Sequence, residues 1–181
     1  MLRKKISFIG LLLCLFVAQI SYAQVQVGAE RLDVYLPILK NQRVALCGNQ
    51  TSLVGQTHLV DTLLSEDVNL VKLFCPEHGF RGNAEAGAVI SSSQDTKTGL
   101  PIISLYGKNK KPTAEQLKDV DILLFDLQDV GCRFYTYIST LHYVMEAAAE
   151  NHVKVVVLDR PNPNGYFIDG PVLDTTYRSF V

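Results

Sequence analysis

The sequence has no tryptophan, only two methionines and almost no excess charge: 17 Lys and Arg against 18 Asp and Glu, a formal net charge of −1. Nucleic acid or an anionic membrane surface calls for a surplus of cations on one face, so neither partner is expected. Charged residues make up 19% of the chain and apolar ones 48%. That balance excludes a disordered or acidic-tail protein. Cysteine is sparse as well. Cys47, Cys75 and Cys132 show no CxxC spacing, and with Cys14 inside an N-terminal apolar stretch they form no disulfide framework. Cys47 and Cys75 each close an apolar run, where buried thiols are expected; a disulfide between them stays open if their strands are neighbours.

Familiar chemical fingerprints are missing too. Gly48-Asn49-Gln50-Thr51 lacks the glycines of a dinucleotide-binding turn, and no GxxxxGK[ST], GxSxG or HExxH occurs. His58, His78, His142 and His152 are scattered without ligand spacing, so neither a metal nor a cofactor is expected.

What is present begins with a leader. Arg3, Lys4 and Lys5 precede an almost wholly apolar run from Ile6 to Ile20, followed by Ser21-Tyr22-Ala23. As a helix this run spans about 22 Å, short of the roughly 30 Å hydrocarbon core. It reads as a signal peptide over residues 1–23, cleaved before Gln24, with no stable membrane anchor and a periplasmic or secreted destination. Without the leader, 14 basic residues face 18 acidic ones, a net charge of −4. Residues 24–181 suffice for one self-sufficient domain.

Four apolar runs read as buried parallel strands: Arg43–Gly48, Val68–Cys75, Ile122–Leu127 and Val153–Leu158, with Ile102–Leu105 as a short fifth. Helical patterns separate them. Leu59, Leu63 and Leu64 recur at helical spacing, and Thr113-Ala114-Glu115-Gln116 forms a capping box behind Pro112. Ser139–Asn151 carries an apolar stripe of Leu141, Val144, Met145 and Ala148, with Asn151 suited to its end. Alternating strands and helices predict right-handed crossovers and an α/β three-layer sandwich with a mostly parallel sheet. The connection from Gly79 to Leu100 is longer than compact domains usually tolerate, and reads as a site wall or lid.

In such sheets ligands bind outside the carboxyl ends of the strands. The residues there are Asn49-Gln50-Thr51, Pro76–Gly82, Asp126–Tyr137 and Asp159–Gly165. Asn49 and Thr51 read as turn and helix-capping groups. Glu77 stands out, because Pro76 ends the strand, Gly79 frees the backbone after it, and a carboxylate on a rigid edge suits proton transfer. The rim thus gathers carboxylates, arginines and tyrosines, the groups that cleave glycosidic bonds, clamp carboxylates and stack on sugars.

Pro76-Glu77-His78-Gly79-Phe80-Arg81-Gly82, Ser104-Leu105-Tyr106-Gly107, Phe125–Gly131, Arg133-Phe134-Tyr135-Thr136-Tyr137 and Leu158–Pro163 together resemble the NamZ-type exo-β-N-acetylmuramidases. The resemblance runs from about Gly28 to Val181. It implies a Rossmann-like N-terminal domain, a smaller C-terminal domain and an active site in the cleft between them. On that reading the sequence is truncated, and the smaller domain falls outside it. The implied reaction is hydrolytic release of N-acetylmuramic acid from the non-reducing end of peptidoglycan fragments such as MurNAc-GlcNAc. Glu77 then takes the general acid/base role, with His78 bonded to it or to the acetamido group. Asp126 and Asp129 compete as second carboxylate; they fall on opposite faces of an extended strand, so at most one joins Glu77. Gln128 shares the face of Asp126 if the strand persists. Arg81, Arg133 and Arg160 are the candidates for the lactyl carboxylate. Tyr135 and Tyr137 are the candidates for stacking on, or donating to, a pyranose, and Asn162 completes the binding set. Two other readings compete: a non-catalytic cell-wall-binding module, and a metal-assisted hydrolase using Asp126, Asp129 and His78.

Overall fold

The computed structural model describes residues 25–77, 79–82 and 93–181. The leader, its cleavage site, His78 and most of the long connection after Gly79 lie outside the described residues.

After a 3-10 turn at Gly28–Glu30, the elements in chain order are α1 (Leu32–Leu39), β1 (Val44–Gly48), β2 (Leu53–Val54), β3 (Thr57–His58), α2 (Leu59–Ser65), β4 (Leu70–Cys75), β5 (Ser93–Gln94), β6 (Pro101–Ser104), α3 (Ala114–Leu117), β7 (Ile122–Asp126), α4 (Tyr137–Glu150), β8 (Lys154–Val157) and a 3-10 turn at Thr175–Tyr177. Among the described residues the main sheet has the order β5-β6-β4-β1-β7-β8, and β2 pairs with β3 in a small hairpin. All main-sheet pairings are parallel except β5 against β6. The chain therefore winds outward from β1 through β4 to β6, then returns to β7 on the other side and continues to β8. The reversal falls between β1 and β7, the place where doubly wound sheets open a crevice.

Period-two alternation divides the core. Val44, Leu46, Leu73, Cys75 and Leu124 pack with Tyr35 and Leu39 of α1 and Leu59, Val60 and Leu63 of α2. Ala45, Cys47, Phe74, Leu123 and Phe125 pack with Leu117 of α3 and Val144, Ala147 and Ala148 of α4. Helices thus cover both sheet faces, which is the expected three-layer α/β sandwich. The same alternation puts Cys47 and Cys75 on opposite sides of the sheet, although β1 and β4 are neighbours; both thiols are free. Burial pushes the Cys75 thiol up to about 12.

The five strands sit where the apolar runs predict, four of them trimmed by one or two residues and the short fifth shifted by one toward the N-terminus. Val68 is excluded from β4 because its N–H closes α2 on the Leu63 carbonyl. The capping box at Thr113 is present, with Thr113 accepting from the Gln116 N–H and Gln116 accepting from the Thr113 N–H. Two expectations need correction. The buried line of α4 runs through Thr140, Val144, Ala147 and Ala148, while Met145 is 53% exposed. The helix is docked one step around from the largest side chains, because close approach to the sheet favours alanine over methionine. Strand β8 is only partly buried: Val155 and Val156 pack against the two opposite cores, while Lys154 and Val157 are exposed, because the strand ends the sheet and pairs with β7 alone. Helix α1, with Pro37 inside it, the β2–β3 hairpin and β5 carry too few patterned residues to be read in advance.

Candidate functional site at the switch point

The crevice between β1 and β7 is floored by polar groups that satisfy one another. Asn49, fully buried at the end of β1, accepts through Oδ1 from the Thr51 N–H (2.9 Å) and the Thr51 hydroxyl (2.7 Å), and donates through Nδ2 to the Tyr137 hydroxyl (3.0 Å). Its carbonyl accepts from His58 Nε2 (3.0 Å), and the Val60 N–H donates to His58 Nδ1 (3.3 Å). A ring nitrogen that accepts from an N–H carries no proton, so Nε2 is the protonated one. Burial, with Arg81 nearby, holds the His58 pKa below its ordinary value. Ser52 bridges the two strand ends, accepting from the Asn49 N–H and donating to the Asp126 carbonyl.

Asp126, at the end of β7 and fully buried, is gripped by Arg160: Nε to Oδ1 at 2.6 Å and Nη2 to Oδ2 at 2.9 Å. Arg160 Nη2 also donates to the Leu53 carbonyl at 2.9 Å, tying the hairpin to the loop after β8. Burial lifts the Asp126 carboxyl, and Arg160 opposes the lift. Both members of this pair already have partners within the fold. Arg81 is engaged likewise, bidentate on Asp95 (2.6 and 2.8 Å) and reaching Asp61 of α2 at 3.2 Å. That network pins the turn after β4 to α2 and to the 95–99 turn.

Above this floor lies a cavity of about 510 Å³, lined by Gln50, Thr51, Glu77, Gln128, Phe134, Tyr135 and Tyr137 among others. Its size is that of a small-molecule site, roughly 300–1,000 Å³. Glu77 reaches it from the end of β4. The Tyr106 hydroxyl faces the Glu77 carboxylate, whose hydrogen bond and charge push the phenol pKa up. Tyr137 is also raised, by burial first, with Tyr135, Glu77 and Asp129 adding to the effect. Tyr135 and Tyr137 meet edge to face, ring centroids 5.7 Å apart. Gln128 donates to the carbonyls of Asp129 (2.7 Å) and Pro161 (3.0 Å).

A larger hollow of about 900 Å³ adjoins the first and shares Phe134 and Tyr135 as a common wall. Asp129 and Arg133 line this hollow rather than the Glu77 cavity; Asp129 accepts from the Gly131 N–H, and Arg133 donates to the Pro171 carbonyl. Asn162 sits outside both hollows, accepting from the Asn164 N–H and abutting Gly131. Of the residues singled out in the sequence, the fold therefore brings Glu77, Gln128, Tyr135 and Tyr137 to one cavity. Asp126, Arg160 and Arg81 stand in the framework around it, and His78 lies outside the described residues. Gln128 does not extend β7, which ends at Asp126. Sequence reasoning gave Asn49 only its turn role. Its bond to Tyr137, 88 positions away, leaves no local signal.

Known proteins are similar to this chain in sequence and fold. A family model described as "Exo-beta-N-acetylmuramidase NamZ, N-terminal" matches residues 44–181. The chain is 53% identical over 165 residues to the peptidoglycan beta-N-acetylmuramidase NamZ of Bacillus subtilis (strain 168), an alignment covering 87% of this chain and 39% of that protein. Two crystal structures of DUF1343 family proteins from Bacteroides fragilis NCTC 9343 superpose with TM-scores of 0.75 and 0.77 at 49% and 46% identity. Each comparison covers 86% of this chain and 40% of the other. The chain thus spans about two fifths of the length of the relatives it matches.

Proposed function

This chain belongs to the family of NamZ-type exo-β-N-acetylmuramidases, as its N-terminal part, and from that premise we propose that the cavity at the switch point binds the terminal N-acetylmuramic acid of a peptidoglycan fragment, with Glu77 as general acid/base. The observation that carries the reading is the convergence of Glu77, from the end of β4, with Gln128, Tyr135 and Tyr137, from the segment after β7, on one cavity wall.

The roles follow from the chemistry of each group. Glu77 protonates the departing glycosidic oxygen, and its seat on a strand end limits the wandering that would blunt proton transfer. The Tyr135 and Tyr137 rings offer an apolar face and phenolic oxygens to a pyranose, as amphipathic aromatic groups do. Arg133, on the adjoining hollow, is the arginine of the three whose guanidinium is least engaged by acidic partners within the fold, and we assign it to the lactyl carboxylate. Asp129 is placed on the same hollow and is the second carboxylate of this reading. Asp126 and Arg160 serve instead as the strut holding the two sides of the crevice. Domain organisation enters the proposal too: residues 1–23 direct export to the periplasm or beyond, and residues 24–181 form the Rossmann-like wall of the substrate cleft.

The test is release of free N-acetylmuramic acid from a MurNAc-GlcNAc substrate by the full-length protein. Glu77→Gln should lower turnover by roughly 10²- to 10⁴-fold, the usual range for a lost acid/base, with substrate binding retained. Unchanged turnover refutes the role of Glu77. Muropeptide binding without release of sugar by the unsubstituted protein points instead to a cell-wall-binding module.

A further inference from the structure

The half-buried contact between Asn49 and Tyr137 has a fixed polarity. The Thr51 N–H is a donor and nothing else, so the atom of the Asn49 amide facing it must be oxygen. The Thr51 hydroxyl, 2.7 Å from the same oxygen, donates there as well. The amide is thereby locked with Nδ2 toward the Tyr137 oxygen at 3.0 Å. An –NH₂ group can only donate, so Tyr137 accepts along this bond and its own hydrogen points elsewhere. Among the described residues no acceptor takes that hydrogen, and Tyr137 is part of the wall of the Glu77 cavity. The Asn49 side chain is in turn fixed by its complete burial and by His58 on its carbonyl.

We infer that Tyr137 is a hydrogen-bond donor into the cavity, held in that polarity by Asn49 as a positioning residue, and that it recognises an acceptor oxygen of the bound sugar. The inference rests on the muramyl reading for the identity of the ligand, but the direction of the bond does not depend on it. N-acetylmuramic acid offers two classes of strong acceptor, the acetamido carbonyl and the lactyl carboxylate. An aligned phenol meets either without the entropic cost of a long flexible donor. Burial, with the negative charges of Glu77 and Asp129 adding to it, holds the Tyr137 pKa up, so the phenol keeps the proton it is to donate.

Two measurements on the full-length protein test this separately. The first follows the Tyr137 ring carbon by NMR through its titration in the unsubstituted protein and in Asn49→Ala. If Asn49 donates, its loss removes a bond that favours the phenolate, and Tyr137 titrates at higher pH. A titration that moves down, or stays put, overturns the assigned polarity. The second measures binding of N-acetylmuramic acid and of N-acetylglucosamine by calorimetry. Tyr137→Phe should weaken binding about tenfold, the worth of one hydrogen bond. Asn49→Asp keeps an oxygen for Thr51 but turns the other contact into an acceptor that draws the phenol hydrogen inward. It should cost about the same, and the double variant no more than either. Loss for both sugars identifies the acetamido oxygen as the acceptor; loss for N-acetylmuramic acid alone identifies the lactyl group. Unaltered affinity in Tyr137→Phe overturns the donor role, and this variant serves even if Asn49→Asp does not fold. If neither sugar binds the unsubstituted protein while the titration moves up, the polarity stands and the muramyl reading falls.

Discussion

Arg160→Met is expected to destabilise the domain strongly at neutral pH and much less in acid. The Asp126 carboxylate has no exposed surface, and Arg160 is only 9% exposed at its side chain. Each carboxylate oxygen takes one guanidinium N–H, and the Leu53 carbonyl takes a further bond from Nη2. Removing one partner of such a pair strands a charge in a medium that solvates it poorly, at a cost of about 3–5 kcal/mol. Against a total of roughly 5–15 kcal/mol, that is a large share of the stability. In a domain of this size it corresponds to a fall in Tm of about 6–20 °C.

The pH dependence follows from the direction of the Asp126 shift. Burial already raises its pKa against the pull of Arg160, and methionine at 160 leaves that rise unopposed. An acid whose folded pKa exceeds its unfolded value penalises folding above the folded pKa, and the penalty disappears as pH falls toward the unfolded value. The stability gap between parent and variant should therefore narrow from pH 7.5 to pH 5. Urea denaturation at both pH values, read as ΔΔG, measures it. A second variant, Arg160→Met with Asp126→Leu, should recover much of the loss, because no charge is left buried. A gap below 1 kcal/mol, or one that does not change with pH, would refute the strut.

Two further outcomes follow from other contacts. Gly28→Ala should cost about 1–3 kcal/mol in a urea melt, because a Cβ there would stand 2.5 Å from the Asp159 nitrogen and 2.8 Å from the Leu158 carbonyl carbon, both backbone atoms; an unaltered midpoint contradicts that packing. Asp95 is held at about 2 by Arg81, whose bidentate grip is the main cause, so its contribution is complete above the ordinary carboxylate value and is lost as pH falls toward 2. Arg81→Gln should remove about 2 kcal/mol at neutral pH and flatten the acid limb of a Tm-against-pH curve between pH 4 and 2; parallel curves for variant and parent would refute this.

The sheet was legible because its strands are buried runs. Val44–Gly48, Leu70–Cys75 and Ile122–Asp126 are apolar on both sides, and a run of that kind between helical patterns has few other uses. The strand order was not legible. Nothing in β7 names β1 as its neighbour, and only the reversal between them turns four separate polar strand ends into a single crevice. Met145 and Leu141 are equal to a periodicity count, whereas docking against the sheet depends on how close the helix axis comes, which the alanines at 147 and 148 decide.

The same distinction governs the site. Glu77 could be picked out locally, since Pro76 and Gly79 on either side mark a rigid strand end. Asp126 and Arg160 looked equally reactive from their neighbours, and only their pairing across 34 positions takes them into the framework under the cavity. A carboxylate and an arginine on one rim have two ways to be satisfied: by the ligand or by each other. Composition cannot distinguish these, because the residue types are identical in both cases. Burial distinguishes them. Asp126 is fully enclosed and partnered, while Glu77 keeps an open side toward the cavity with phenols around it. On the proposed reading the reactive carboxylate is therefore Glu77, which has no salt bridge among the described residues, and the paired Asp126 is what keeps the crevice in shape.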